Sequence, residues 1–250
     1  MKLSYFDLLS PSPIKIENVG SIISPKLQDI SDITINTYKF YLSILLTDVE
    51  SYFSFIGQKE LFQKLADEEK QQFNIFDLLV CNKNFAITLQ NSLNFFFVEN
   101  VEFNAETKYY DVYCNDNSVG HITEENYLDI CDVIFQLNGI KRKNEDVLKP
   151  KNKIASEILK KIQKGRKEKE KIKSIDKDME LGNIISAVSN FHPSLNEYNI
   201  WNLTVYQLWD SFYKLINNNI YTIQSTSVAV WGDKDKQFNI NEWYKTKPEN

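Results

Sequence analysis

Histidine, cysteine, proline and glycine are all scarce in this sequence. Its 250 residues include 2 His, 3 Cys, 6 Pro and 7 Gly. The glycines are scattered one by one, whereas a phosphate cradle needs several close together so that backbone N–H groups can approach the anion. The sequence therefore predicts neither a P-loop nor a dinucleotide-binding fold.

The two histidines lie in unrelated settings and match no nucleophile motif. His121 ends a predicted strand and His192 precedes a proline, so structural roles are favoured over catalytic ones. Asp111, within a predicted strand, is the nearest approach to the strand-borne acid of a metal-dependent nuclease, but an isolated strand acid is usually an edge or turn residue. We expect a protein that is not an enzyme and that uses no cofactor or metal.

The three cysteines, Cys81, Cys114 and Cys131, are far apart and form no C-x-x-C pair. An odd count without pairing favours a reducing compartment, and we expect all three to be small apolar core residues. The N-terminal MKLSYFDLLSPSP has no signal-peptide core. Since no run approaches the roughly 18 apolar residues of a membrane span, we expect a protein that is neither secreted nor membrane-embedded.

The composition is that of a folded protein. Hydrophobic residues make up 42% and aromatic residues 13%, and the net charge is -5. This supports a sizeable core and gives no overall attraction to nucleic acid.

The residue pattern of the N-terminal half predicts helices followed by a small sheet. Residues 9–30 are rich in turn residues and predict loops with a small hairpin, and residues 31–57 predict one long buried helix. Helical patterns also cover residues 58–71 and residues 75–95, the latter interrupted near Asn82. Residues 95–122 are enriched in aromatic and β-branched residues and predict a three-stranded antiparallel meander.

A helix should follow the meander, capped by Thr123 and stopped at Gly139. The fold class is therefore α+β and mainly helical, with the meander packed by helices. We assign residues 1–140 to an N-terminal α+β domain, residues 141–178 to a basic helical linker and residues 179–250 to a C-terminal helical domain.

The predicted linker carries 15 Lys or Arg and 7 Asp or Glu, a net charge of +8, while the rest of the chain totals -13. It could be a solvated, ion-paired helix, could bind an acidic protein surface, or could bind nucleic acid. The first reading is favoured, because acidic residues interrupt the run and base-stacking aromatics are absent from it. The candidate polyanion-binding residues are Lys160, Lys161, Lys164, Arg166, Lys167 and Lys169.

In the C-terminal part, Met179 to Ser189 predicts a helix that breaks at His192. Thr204 and Gln207 have capping-box spacing and should begin an amphipathic helix that ends at Asn217–Asn219. The four tryptophans all follow residue 200. Trp209 lies on the apolar stripe and should be core, whereas Trp201, Trp231 and Trp243 have polar neighbours and are either packing residues or partner-binding residues.

Two stretches resemble a group of tailed-phage and prophage proteins found among tail morphogenesis genes. One is the opening SYFDLLSPSPIKIENVGSIISPKLQDIS; the other runs from Met179 to Trp243 and includes MELGNIISAVSNFHPSLN, IWNLTVYQLWDSFYKL and SVAVWGDKDKQFNINEWYK. The resemblance implies a tail assembly chaperone or baseplate-hub assembly factor that is helical, acidic and without an enzymatic site.

We therefore expect a non-enzymatic protein-binding factor that assists phage tail or baseplate assembly. Its partners would be other tail or baseplate proteins, in the cytoplasm of an infected or lysogenic bacterial host or in the virion. A structural tail or baseplate subunit is one alternative. The other is a nucleic-acid-binding protein acting through residues 141–178.

Overall fold

The computed structural model describes residues 1–140, 180–233 and 238–244. These residues form two compact units. The first unit contains residues 1–140 and the separate segment Trp201–Gln207, and the remaining described residues belong to the second unit.

The described elements confirm an α+β, mainly helical chain. The helices are α1 (Tyr5–Leu9), α2 (Leu27–Ile33), α3 (Ile35–Leu45), α4 (Val49–Phe55), α5 (Lys59–Lys64), α6 (Asp67–Lys70), α7 (Ile75–Cys81), α8 (Lys83–Phe96), α9 (Tyr127–Leu137), α10 (Leu181–Phe191) and α11 (Val205–Trp231). The strands are β1 (Ile14–Ile16), β2 (Gly20–Ile22), β3 (Asn100–Asn104), β4 (Tyr109–Cys114) and β5 (Asn117–Ile122).

Strands β3, β4 and β5 form the predicted antiparallel meander. Its inner face carries Val101, Tyr110, Val112 and Ile122, which are all fully buried. The Tyr110 hydroxyl donates a 2.9 Å hydrogen bond to the carbonyl of Ala86 in α8. The meander is thereby fastened to the helical layer by a buried polar contact as well as by apolar packing.

The start of the meander was predicted too early, because Phe95 and Phe96 belong to helix α8. Leu89, Leu93 and Phe96 follow one another at helical spacing and are completely buried. Aromatic enrichment alone suggested a strand here, but burial of this stripe favours the helix.

The free edge of β3 is covered by side chains of α8. Asn94 accepts a hydrogen bond from Val101 N–H and donates one to Val101 C=O, both at 2.8 Å. The Gln90 side chain accepts from Phe103 N–H, also at 2.8 Å. These amides replace a neighbouring strand, so the edge is not open to pairing with another chain.

The predicted N-terminal hairpin exists as β1 and β2, and its turn packs against β5. His121 N–H donates to the carbonyl of Asn18 at 3.2 Å. A Cβ atom added at Gly120 would lie 2.2 Å from that same carbonyl oxygen. Only a glycine permits this approach of the two backbones.

The single long helix predicted for residues 31–57 is wrong, because this stretch is divided among α2, α3 and α4. Thr34 ends α2 with a positive φ of 75° and caps α3 through its hydroxyl. Asp48 accepts a 2.7 Å hydrogen bond from Ser51 N–H and starts α4. Capping side chains inside the apolar pattern thus interrupt the helix.

The predicted cap Thr123 is wrong, because α9 begins at Tyr127 with Asn126 at its N-cap position; three other predicted boundaries are confirmed. Asn82 separates α7 from α8 and caps α8 by accepting from Asn84 N–H at 3.0 Å. Gly139 follows α9 with a positive φ of 66°. The capping box is formed, since Gln207 N–H donates to the Thr204 hydroxyl at 3.2 Å and the Gln207 side chain accepts from Thr204 N–H at 3.0 Å.

Helix α11 does not end at Asn217–Asn219 as predicted but continues to Trp231. No glycine or proline follows Asn219 until Gly232. The later turns of the helix carry Tyr221, against which Phe238 of the following segment packs with ring centroids 5.6 Å apart. This contact stabilises the turns after Asn217–Asn219 and therefore favours continuation of the helix past these three residues of modest helix propensity.

Two further predictions about burial need correction. Cys81 and Cys114 are exposed and only Cys131 is buried, because the first two lie at a helix end and a strand end. Trp209 is only half-buried and stacks on Tyr213 with centroids 6.0 Å apart.

No helix in the described part of the chain combines the length and apolar character needed to cross a membrane.

Candidate functional site

The outer face of the meander carries a row of polar side chains. Glu102, Asp111 and His121 lie opposite one another on the three adjacent strands. The Asp111 carboxylate is 2.7 Å from His121 Nδ1 and accepts a 3.0 Å hydrogen bond from the Asn104 side chain. The sheet register therefore pairs the candidate acid with a histidine ten positions away.

The hydrogen bonds around Asp111 favour its ionised form. The pKa of Asp111 lies below its ordinary value, chiefly because of the Asn104 hydrogen bond; burial opposes this effect and His121 adds to it. The Asp111 charge in turn raises the pKa of Tyr113, whose hydroxyl is 3.5 Å away. An ionised carboxylate accepts, so His121 Nδ1–H is the donor in the short contact.

An Asp–His pair can orient an imidazole as a general base, and in a nucleophilic triad a serine, threonine or cysteine side chain adjoins that imidazole. Within the described residues, neither Asp111 nor His121 hydrogen-bonds to a serine, threonine or cysteine side chain. In those same residues no group of three or more His, Cys, Asp or Glu side chains is placed to hold a metal ion. The arrangement is that of a polar sheet surface on which side chains of adjacent strands are hydrogen-bonded.

Beside this pair is a shallow, open groove of about 260 Å³. It is lined by Asn100, Glu102, Tyr113, Asn115 and Asp116. Such a groove is smaller and more polar than the pockets that enclose small ligands. It extends the polar surface and supplies no enclosed cavity.

The other histidine has a local structural role. His192 Nδ1 accepts hydrogen bonds from Ser194 N–H and Leu195 N–H, both at 3.2 Å. The imidazole thereby closes the turn that follows α10.

In the second unit the segment after α11 folds back along that helix. Phe238 contacts Tyr221, and the Lys214 ammonium donates a 2.8 Å hydrogen bond to the carbonyl of Tyr244. The segment therefore runs antiparallel to the helix and covers its Tyr221 side. We call residues 238–244 the returning segment.

The returning segment leaves several large apolar side chains in solvent. Ile240, Trp243 and Tyr244 are all exposed, and the Trp243 and Tyr244 rings meet edge to face with centroids 5.3 Å apart. Trp231, at the end of α11, is 76% exposed. Of the three candidate tryptophans, Trp231 and Trp243 belong to the second unit and present their rings to solvent.

Trp201 differs from the other two candidates. It lies in a short 3-10 helix, Ile200–Asn202, is half-buried, and belongs to the first unit. The candidate polyanion-binding residues, from Lys160 to Lys169, lie outside the described residues, and so does the predicted linker 141–178. Their roles stay predictions.

The second half of α11 has an exposed apolar face that the sequence pattern did not lead us to expect. Ile216, Ile220, Ile223 and Val230 are all exposed there. The signal was available, because no charged residue occurs between Leu215 and Gly232. The early helix end predicted at Asn217–Asn219 concealed it.

Residues 167–246 match the family model described as the YomV second domain. This family is phage-derived, from Bacillus prophages, so the similarity suggests a phage origin. The match includes the second half of α11 and the returning segment and leaves residues 1–166 outside it. No curated protein and no solved structure matches the chain significantly.

Proposed function

We propose that this chain is a non-enzymatic protein-binding factor that assists assembly of a phage tail or baseplate. Its partners would be other tail or baseplate proteins, and its place of action the cytoplasm of an infected or lysogenic host. The similarity of residues 167–246 to a phage-derived domain supports the phage setting. The tail role rests on the resemblance of both ends of the chain to tail morphogenesis proteins.

The observation that carries the proposal is the exposed aromatic pair on the returning segment. Trp243 and Tyr244 are held in place by the Phe238–Tyr221 contact and the Lys214 hydrogen bond, yet their rings are about half exposed. Aromatic residues dominate the binding energy of protein interfaces. A preordered aromatic pair also loses little conformational entropy when a partner binds.

The exposed side chains of the returning segment are mainly apolar and aromatic, which favours a protein partner. The returning segment contains a single charged residue, Glu242. Exposed apolar rings beside backbone and amide groups suit a protein surface.

Direct titration tests the proposal. The purified full chain is titrated with each tail and baseplate protein of the same phage genome, and binding is followed by calorimetry. We expect saturable binding to one of them and at least a tenfold weaker affinity for Trp243→Ala, since an aromatic hot spot contributes about 2 kcal/mol. The matched control is Tyr198→Ala, which removes a 92% exposed aromatic residue of the same unit.

Absence of binding to every tail and baseplate protein would contradict the proposal. Equal affinity of Trp243→Ala and the unaltered chain would contradict the assignment of Trp243 to the binding surface. Presence of the chain in purified virions would favour the structural-subunit alternative. Binding of duplex DNA that weakens steeply with salt would favour the nucleic-acid alternative through residues 141–178.

A further inference from the structure

The second half of α11 is an exposed helix without charge. The 18 residues from Leu215 to Gly232 include no Asp, Glu, Lys or Arg, although charged residues make up 25% of the chain. Ile223 is 70% exposed and Val230 is 63% exposed. Exposed apolar surface on a helix that lacks solubilising charge marks an interaction site.

The exposed apolar residues lie on one line along the helix. Ile216, Ile220, Ile223 and Val230 are separated by four, three and seven positions, which follows the a/d spacing of a coiled coil with Ser227 at the intervening position. At 1.5 Å per residue the line is roughly 21 Å long. We call these four residues the isoleucine stripe.

The returning segment does not cover the isoleucine stripe. It contacts α11 through Tyr221 and Lys214. At about 100° per residue, these positions lie on the opposite side of the helix from Ile216 and Ile223. The helix thus has one side covered by its own chain and another side left in solvent.

The missing charges indicate which partner fits. Coiled-coil pairs of different helices are selected by complementary charges beside the a and d positions. A two-fold pair of identical helices must instead be self-complementary, because each residue meets the same surface on the other copy. A stripe with no charged residue beside it meets this requirement without like-charge repulsion.

We propose that the isoleucine stripe pairs with the same stripe of a second copy of this chain. A single pair of helices four turns long buries an area at the low end of specific interfaces, so the dimer should be weak, with a dissociation constant on the order of 10 μM. Because each copy carries a net charge of -5, added salt screens the repulsion between copies and strengthens the dimer.

Analytical ultracentrifugation of the full chain over a concentration series tests this proposal. We expect a reversible monomer–dimer equilibrium, and at least a tenfold higher dissociation constant for Ile223→Lys. Lysine has a higher helix propensity than isoleucine, so circular dichroism should show the helix content retained. The matched control is Ile87→Lys, which changes a 48% exposed isoleucine of α8 and should leave the equilibrium unchanged.

Cysteine cross-linking gives a second readout at the same position. In a Cys81→Ser, Cys114→Ser background, Ile223→Cys should form a disulfide-linked dimer under mild oxidation. Ala229→Cys, which is exposed on another side of α11, should cross-link much more slowly. Equal rates for the two variants would contradict the pairing, as would a strictly monomeric unaltered chain at all concentrations.

This proposal is independent of the proposed function, because the protein alone is measured. Trp243→Ala should dimerise like the unaltered chain. Loss of all tail-protein binding with an intact dimer would therefore remove only the proposed function. A monomeric chain that still binds a tail protein would remove only the dimer.

Discussion

The backbone N–H of Leu27 donates a 2.9 Å hydrogen bond to the carbonyl of Leu203, so the segment Trp201–Gln207 is part of the first unit. Lys26 and Thr204 form a bridge of β type beside it. The Gln207 side chain donates a 2.7 Å hydrogen bond to the carbonyl of Leu9. The first unit therefore includes seven residues that are distant in sequence from residues 1–140.

Replacement of Thr204 should lower the stability of the first unit. Thr204 is buried and its hydroxyl caps α11, so we expect Thr204→Ala to lower the free energy of unfolding by about 1 kcal/mol. Urea denaturation followed by circular dichroism measures the change. Thr222→Ala, at an exposed position of the same helix, is the control, and an equal loss in both variants would argue against the capping role.

Gly120 should tolerate no side chain. The Cβ of Gly120→Ala would lie 2.2 Å from the Asn18 carbonyl oxygen, so the hairpin turn must move, at a cost of about 2 kcal/mol or more. Gly182→Ala is the opposite case: it lies within helix α10 and its added Cβ meets nothing within 4 Å, so it should stabilise by roughly 0.5 to 1 kcal/mol. Thermal denaturation of both variants measures these opposite changes. An unchanged melting temperature for Gly120→Ala would contradict the prediction.

Removal of the Asn94 amide should open the edge of β3. Asn94→Ala leaves Val101 N–H and C=O without their side-chain partner, so we expect the free energy of unfolding to fall by about 1 to 3 kcal/mol. We also expect faster aggregation, because an uncovered edge strand pairs with other chains. Light scattering during heating measures the aggregation. Asn91→Ala, an exposed asparagine of the same helix, should behave like the unaltered protein.

The Asp111 interactions should contribute stability that depends on pH. The pKa of Asp111 is lowered in the folded protein, so its contribution is present above the unfolded value of about 3.9 and is lost as pH falls through the folded value. Asp111→Asn should therefore show a smaller decrease in the free energy of unfolding between pH 6 and pH 3. Urea titrations at both pH values measure it.

The control for this pH dependence is Asp116→Asn, in the exposed turn between β4 and β5. It should retain the decrease seen in the unaltered chain. A decrease of the same size in Asp111→Asn would show that the Asn104 and His121 contacts do not stabilise the ionised carboxylate.

Strong local signals predicted the elements that carry the polar face of the meander and the isoleucine stripe. Asn82 and the Thr204–Gln207 box were identified from spacing, because a cap acts within one helical turn. The three strands of the meander were identified from their aromatic and β-branched residues. The end of α11 was predicted wrongly, since asparagine is only a weak helix breaker and the contact between Tyr221 and Phe238 joins residues far apart in sequence.

By itself, the sequence determined the mainly helical α+β class, the caps and the absence of charge along the second half of α11, because these depend on neighbouring residues and on composition. Only the tertiary structure decided that Asp111 is paired with His121, that Leu203 is bound to Leu27, and that the isoleucine stripe is left exposed. These features depend on contacts between distant residues, and the side of a helix that its own chain covers cannot be read from periodicity alone.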